Sequence, residues 1–353
     1  TLRRKSLVLL ALALTLPHLA FAQDSAEQGA SSELAEKSAP AEQTASAAQP
    51  DSAQESSAPT AAQKRVPPRT MFLPMLTLFA AYAPNNDALD VKIPYCMPLV
   101  QGRFSHRFTE FGKNPELTFI ANAEVAPLWL GIGSHIEAKP LPFLTLSAGG
   151  DFGTSWGFDL GFLALDFIGR YDGEKREYDY FSPFTHWVYD GWAQLGLKYD
   201  VGSLFTKGKQ HFIFGASYRA LYSGMTGVEN GEIWMHQGSS LKTNGFSYEA
   251  TANLTYQIPH TFFKNAGLNA KASGYYSESL FDEAYRKCDP TFTDLTFTFT
   301  ASASIGYKNT FMLMLPVSSK RDFDCDKDLE PLTAPTGRKW VADGLILTFT
   351  HIF

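Results

Sequence analysis

The side chains best placed to do chemistry in this chain are charged residues set at alternate positions within oily segments. They are Glu124, Glu137, Asp151, Lys198, Asp200, Arg219, Glu249 and Lys271, with His135 two positions before Glu137. Alternation puts such residues on one face of an extended chain. Carboxylates opposed by lysine and arginine can pair across an interior, steer ions or hydrogen-bond a polar solute. His135 and Glu137 share one strand face, where hydrogen bonding inside an interior outranks metal binding. A second set, His186, Asp190, His236 and Asp282, falls near the ends of oily segments and in the long stretches between them, where an acid–base pair for hydrolysis could assemble. Solvated loop residues are the simpler reading of these four. The chain has no phosphate-binding glycine loop, no zinc spacing of Cys or His, and no G-x-S-x-G turn. Neither a catalytic residue nor a cofactor nor a metal is assigned on this basis.

The elements that must position those charges alternate strictly. In "LTFTFTASASIGY", Leu295, Phe297, Phe299, Ala301, Ala303, Ile305 and Tyr307 take one face and threonines and serines the other. In "FSYEATANLTYQI" the apolar face runs from Phe246 to Ile258, opposed by Ser247, Glu249, Thr251, Asn253, Thr255 and Gln257. The pattern returns in "ELTFIANAEV", "FLTLSAGGDF", "GWAQLGLKYDV", "HFIFGASYRALY", "GLNAKASGYYS", "FMLMLPV" and the closing "VADGLILTFTHIF", whose apolar side includes Val341. On this assignment every strand charge lands opposite the apolar face. A bilayer enforces that segregation, because a lipid-facing charge at the midplane costs ~2–4 kcal/mol. A soluble sandwich would bury its oily face and scatter charge outside.

Connections and aromatic residues point the same way. Short links such as "AKPLP", "TKGKQ", "PHTFFKNA" and "YKNT" alternate with long ones around 157–186, 223–245, 281–294 and 318–338. Tyr199, Phe212, Tyr256, Tyr307 and Phe311 flank the short links, and Trp187, Tyr189, Trp192, Tyr222, Phe246, Tyr276 and Trp340 the long ones. Rings at both ends of each strand suit two water–lipid interfaces. The expected fold is all-β: an antiparallel transmembrane β-barrel of ten strands, within a range of eight to twelve, spanning 99–353. The segment 117–138 changes phase at Ala126-Pro127. We read it as one strand with a bulge, and a turn there would raise the count toward twelve.

Upstream, "RRK" and the apolar run ending in "AFA" read as a signal peptide over residues 1–22. Residues 23–68, rich in Ala, Ser, Gln, Glu and Pro, read as a disordered tether. Residues 69–98, with "MFLPMLTLFAAY", fit a plug, an interfacial segment or an extra strand. Of the three cysteines, Cys96 precedes the expected barrel, while Cys288 and Cys325 lie in the last two long loops. Those two either bridge or stay free thiols.

The closing residues Leu345, Leu347, Phe349 and Phe353 resemble the C-terminal assembly signal of outer-membrane barrels, although His351 stands where an aromatic such as Tyr is usual. The stretch "YSGMTGVENGEIWMHQGSSLKTNGFSYEATANLTYQIP", with "FGTSWGF" upstream, resembles a spirochaetal (treponemal) family of outer-membrane barrels without an assigned activity. That resemblance covers most of 99–353. The expected setting is a bacterial outer membrane, with outer-membrane lipid and the barrel-assembly machinery as partners and no nucleic acid. The expected activity is a narrow porin-like or transport channel for small solutes, not an enzyme. The alternative is a surface-exposed adhesin acting on host molecules through the long loops. If Phe353 belongs to an assembly signal, Phe353→Ser should lower the amount of barrel in the outer membrane while signal-peptide processing continues. Immunoblotting of fractionated membranes reads this, and unchanged levels would dismiss the signal.

Overall fold

The computed structural model describes residues 69–82, 95–108, 116–159, 164–165, 168–202, 211–237, 239–260 and 262–353. The expected signal peptide and tether lie outside them. Twelve antiparallel strands form one sheet: β1 (Thr70–Tyr82), β2 (Tyr95–Phe108), β3 (Glu116–Ala126), β4 (Trp129–Leu141), β5 (Leu144–Ser155), β6 (Val188–Asp200), β7 (His211–Met225), β8 (Gly245–Gln257), β9 (Phe263–Tyr275), β10 (Asp294–Ile305), β11 (Asn309–Asp322) and β12 (Gly337–Ala342 and Leu345–Ile352). Each pairs with its neighbours in sequence, and β12 also pairs with β1, from Met75↔Ile352 to Tyr82↔Leu345. The sheet is therefore closed and has no free edge.

The count of ten is corrected to twelve, for two physical reasons. Pro127 and Leu128 form a tight turn between paired Ala126 and Trp129, so the phase change at that proline marks two strands, β3 and β4, rather than one bulged strand. The Trp156 indole donates to the Pro127 carbonyl at 2.9 Å and ties down this turn. The other addition is β1, the segment "MFLPMLTLFAAY", which closes the barrel. Its period-2 signal is weak because both faces are oily: Met75, Phe79 and Ala81 are buried inside, while Phe72, Leu76 and Leu78 face out. The expected start of the barrel at residue 99 falls inside β2.

A bulge does occur, in β12. Pro316 of β11 lacks an N–H, and opposite it β12 breaks between Ala342 and Leu345, with Gly344 at φ +113°. The Asp343 N–H donates to the Pro316 carbonyl at 3.0 Å. One extra residue shifts the phase, so Val341 pairs with inward Ser318 while Leu345 faces out. This corrects the placement of Val341 on the lipid side. Below the bulge the alternation is clear, with Leu347 45% exposed and Ile346 3%.

Between the two rims the outer wall is apolar, carrying Ile132, Ile136, Leu195, Leu197, Leu254, Leu268, Phe297, Phe299 and Leu315. Thr298 and Phe299 are neighbours on opposite faces of β10: Thr298 lies between Asn269 and Pro316, and Phe299, 53% exposed, between Leu268 and Leu315. Thr298→Lys should be tolerated, since a lysine there meets polar groups and water. Phe299→Lys should cost ~2–4 kcal/mol if Phe299 sits near the bilayer midplane. Urea titration in lipid vesicles compares the two, and equal tolerance would argue against lipid around this wall.

Candidate functional site

The barrel interior holds the densest array of charged groups, and strand pairing sets its order. Glu124, His135, Glu137, Asp151, Lys198, Asp200, Arg219, Glu249 and Lys271 all lie on the inward face of their strands. Five inward side chains make a continuous chain of contacts along one wall. The Trp192 indole N–H donates to Asp151 Oδ2 at 2.8 Å, and the Arg219 guanidinium stacks over the Trp192 ring at 3.9 Å. Arg219 Nη1 lies 4.0 Å from Glu249 Oε2, and Lys271 donates to Glu249 Oε1. Stacking orients a guanidinium without neutralising it. Trp192 thus lines the interior, correcting its expected place in the interfacial belt.

Two glycines make this packing possible. A Cβ on Gly149 would lie 2.4 Å from His135 Cβ, and its absence lets the His135 and Trp192 rings approach to 5.3 Å. A Cβ on Gly133 would collide with the Asp151 carboxylate. Further pairs extend the array toward both rims. Lys139 meets Glu137 at 2.9 Å, Arg107 meets Glu116 at 2.7 Å, His211 meets Asp200 at 2.5 Å and Lys320 meets Asp343 at 2.7 Å. Gln101 donates to Glu124 at 3.5 Å. Several of these residues escaped the sequence reading. Asp343 sits at the bulge, and Arg107 lies on β2, whose inward face also carries Met97 and Leu99, so neither strand shows a clean polar period.

The opposite part of the interior holds buried apolar side chains. Phe79, Met97, Leu99, Trp129, Met312, Met314 and Ile346 form one buried cluster on β1, β2, β4, β11 and β12, with Trp156 packed against it. A polar interior of mixed charge was expected, and the structure adds an apolar wall to the charged one.

Above the charged wall, long loops build a cap. Strands Ile168–Asp172 and Glu177–Tyr180 pair into a four-stranded sheet with Trp234–His236 and Ser239–Lys242. The cap has its own core: Trp234 packs with Ile168, Val188, Met225 and Val228, while Ile233 and Leu241 pack with Tyr171, Phe281 and Tyr285. Asn244 anchors it, accepting from the Met225 N–H at 2.9 Å and the Trp234 indole at 3.0 Å. Lys242 reaches from the cap into the field of Asp190 and Glu249.

The four residues considered for hydrolysis go to separate partners. His186 stacks on Phe181 with ring centroids 3.5 Å apart, and Asp190 faces inward and accepts from Ser223. Asp282 precedes the short turn Glu283–Cys288 and donates its N–H to the Gly231 carbonyl at 3.1 Å. His236 lies in the cap sheet with its Nε2 shielded and unpartnered among the described residues; burial, then the charge of Lys242, pushes its pKa down to about 3. A depressed imidazole pKa stabilises the fold above the ordinary value of 6.5 and loses that contribution as pH falls from there toward 3. Cys96, Cys288 and Cys325 are unbridged; Cys288 is buried, and burial raises its thiol pKa.

No protein-family model matches the chain, and no curated protein matches it in sequence. Solved structures of similar architecture include the KdgM porin, at TM-score 0.35 and 8% identity over 80% of this chain and 99% of that one. They include the NanC porin, at TM-score 0.37 and 8% identity over 79% and 99%. An outer-membrane channel from Pseudomonas putida F1 aligns at TM-score 0.40 and 10% identity over 83% and 99%. These neighbours are outer-membrane porins and channels.

Proposed function

We propose that this chain is an integral outer-membrane barrel acting as a narrow, porin-like channel for small polar solutes. The observation that carries this reading is the division of the interior into a charged wall and an apolar wall. Eight-stranded barrels are filled by side chains, and those of sixteen or more strands leave wide aqueous channels. A twelve-stranded barrel lies between them. Here the apolar cluster fills one side, which leaves the wall of Asp151, Trp192, Arg219, Glu249 and Lys271 as the route for water and solute. Charges of both signs side by side give weak selectivity and offer donors and acceptors to an uncharged or zwitterionic solute. The separate partners of His186, Asp190, His236 and Asp282 favour a channel over a hydrolase. In this reading the barrel-assembly machinery acts on the closing strand β12.

Bilayer recording of refolded protein tests the proposal. Discrete conductance steps are expected. Arg219→Gln should raise cation preference and Glu249→Gln should lower it, each by about threefold, since a unit charge ~6 Å from an ion in water is worth about 0.7 kcal/mol. Absence of conductance, both in the full chain and after shortening 226–244, would overturn it.

The alternative reading, contact with host molecules, draws support from the cap, whose own core presents a preordered surface. Trp234 is 0% exposed, and Trp234→Ala should cost the cap ~3–5 kcal/mol. The expected outcome is rapid protease cleavage within 156–187 and 226–244, with heat-modifiable gel mobility of the barrel retained. If binding to host-cell extracts survives this loss unchanged, the cap is not the contact surface.

A further inference from the structure

On the outer face of β11 and β12 the structure places two guanidiniums where lipid headgroups would lie. Arg321 and Arg338 are direct cross-strand partners, two pairs above Ser319↔Trp340, with Lys320↔Lys339 between them. Trp340 is 51% exposed on the apolar wall, with its ring 5.8 Å from that of Phe297. Two residues along a strand is about 7 Å, so the arginines stand one step above an interfacial tryptophan on the same face. They crowd the Phe292 ring, with Arg338 4.1 Å and Arg321 5.8 Å from its centroid.

Like charges directly opposite one another destabilise a strand pair. Yet among the described residues neither guanidinium has a carboxylate within salt-bridge distance. Arg321 Nη1 donates to the carbonyls of Cys288 and Asp289 at 3.0 and 3.1 Å. Arg338 donates to the Thr293 carbonyl at 2.8 Å and to the Ser319 hydroxyl. These bonds orient the two groups and leave their charge in place. The other cations of the same ladder are neutralised: Lys320 by Asp343 at 2.7 Å, and Lys339 by Asp322 at 2.9 Å. Asp294 feels both arginines but belongs to the inward face of β10, opposite Ser273. A fixed pair of cations, with no carboxylate in salt-bridge distance among the described residues and set above an outward-facing ring, leaves room for an anion that the surrounding leaflet can supply.

We propose that Arg321 and Arg338 bind the phosphate of an anionic lipid in the leaflet that Trp340 contacts, with the lipid's chains lying against Trp340 and Phe297. A guanidinium pair suits phosphate oxygens by charge and by parallel N–H geometry. The inference rests on the barrel spanning a membrane, so the test reads insertion separately from lipid choice.

The refolded full chain, in micelles doped equally with phosphatidylglycerol and phosphatidylcholine, would be analysed by native mass spectrometry for retained lipid. Heat-modifiable mobility and insertion into vesicles would be followed in parallel. Phosphatidylglycerol should be retained in preference, and the double variant Arg321→Gln/Arg338→Gln should cut that retention about tenfold while insertion continues. Lys339→Gln, on the other face of the same strand, should leave it unchanged. Equal retention of the two lipids, or retention unaffected by the double variant, would overturn the proposal. Complete displacement by inorganic phosphate at millimolar concentration would assign the pair to a soluble anion and also overturn it. A chain that fails to insert at all would instead remove the membrane reading itself. If the double variant does not fold, each single variant should give a smaller loss in the same direction, and unchanged retention in both would count against the site.

Discussion

Backbone closure is the constraint on which the rest of this structure depends. A strand edge in hydrocarbon leaves each N–H and C=O without a partner, at several kcal/mol per group, so only a sheet that meets itself can span. The pairing of β1 with β12 meets that requirement. It also explains the tolerance of irregularities elsewhere. Pro316 removes a donor from the middle of β11, and β12 answers with a bulge in which the Asp343 N–H still reaches the Pro316 carbonyl. Closure survives because the defect is compensated within one residue.

Closure separates two solvents, and the side chains sort between them by different rules. Outside, the rule is strict, because lipid offers a charge nothing. Inside, an apolar cluster can pack against itself and a charged array can pair and meet water. Both occur, on opposite walls. Trp192 shows how the two chemistries meet: its ring gives Arg219 a face to stack on and its N–H satisfies Asp151. The arginine pair at β11 and β12 lies on the outer face two residues beyond Trp340, toward the long loops.

The cap adds a third environment. Its core of Trp234, Ile233, Leu241, Phe281 and Tyr285 is assembled from loops far apart in sequence. Each loop alone is too short to bury such a core. Set side by side by neighbouring strands, they share one, and the barrel thereby supplies the proximity that loop closure would otherwise cost.

By itself the sequence determined the class of the fold, the inward placement of Glu124, Asp151, Arg219, Glu249 and Lys271, and the rim that carries the long loops. Those features follow from a local period of two and from the cost of charge in lipid, both readable within a single strand. The tertiary structure decided what depends on partners. Strand number turned on whether Pro127 bent the chain back on itself and on whether a doubly oily segment found β12 to pair with. The inward turn of Trp192, the apolar wall of Phe79 and Met314, the phase of Val341 and the cap sheet all turned on neighbours remote in sequence. A strand's own alternation says which residues share a face, but only the strands beside it say what that face meets.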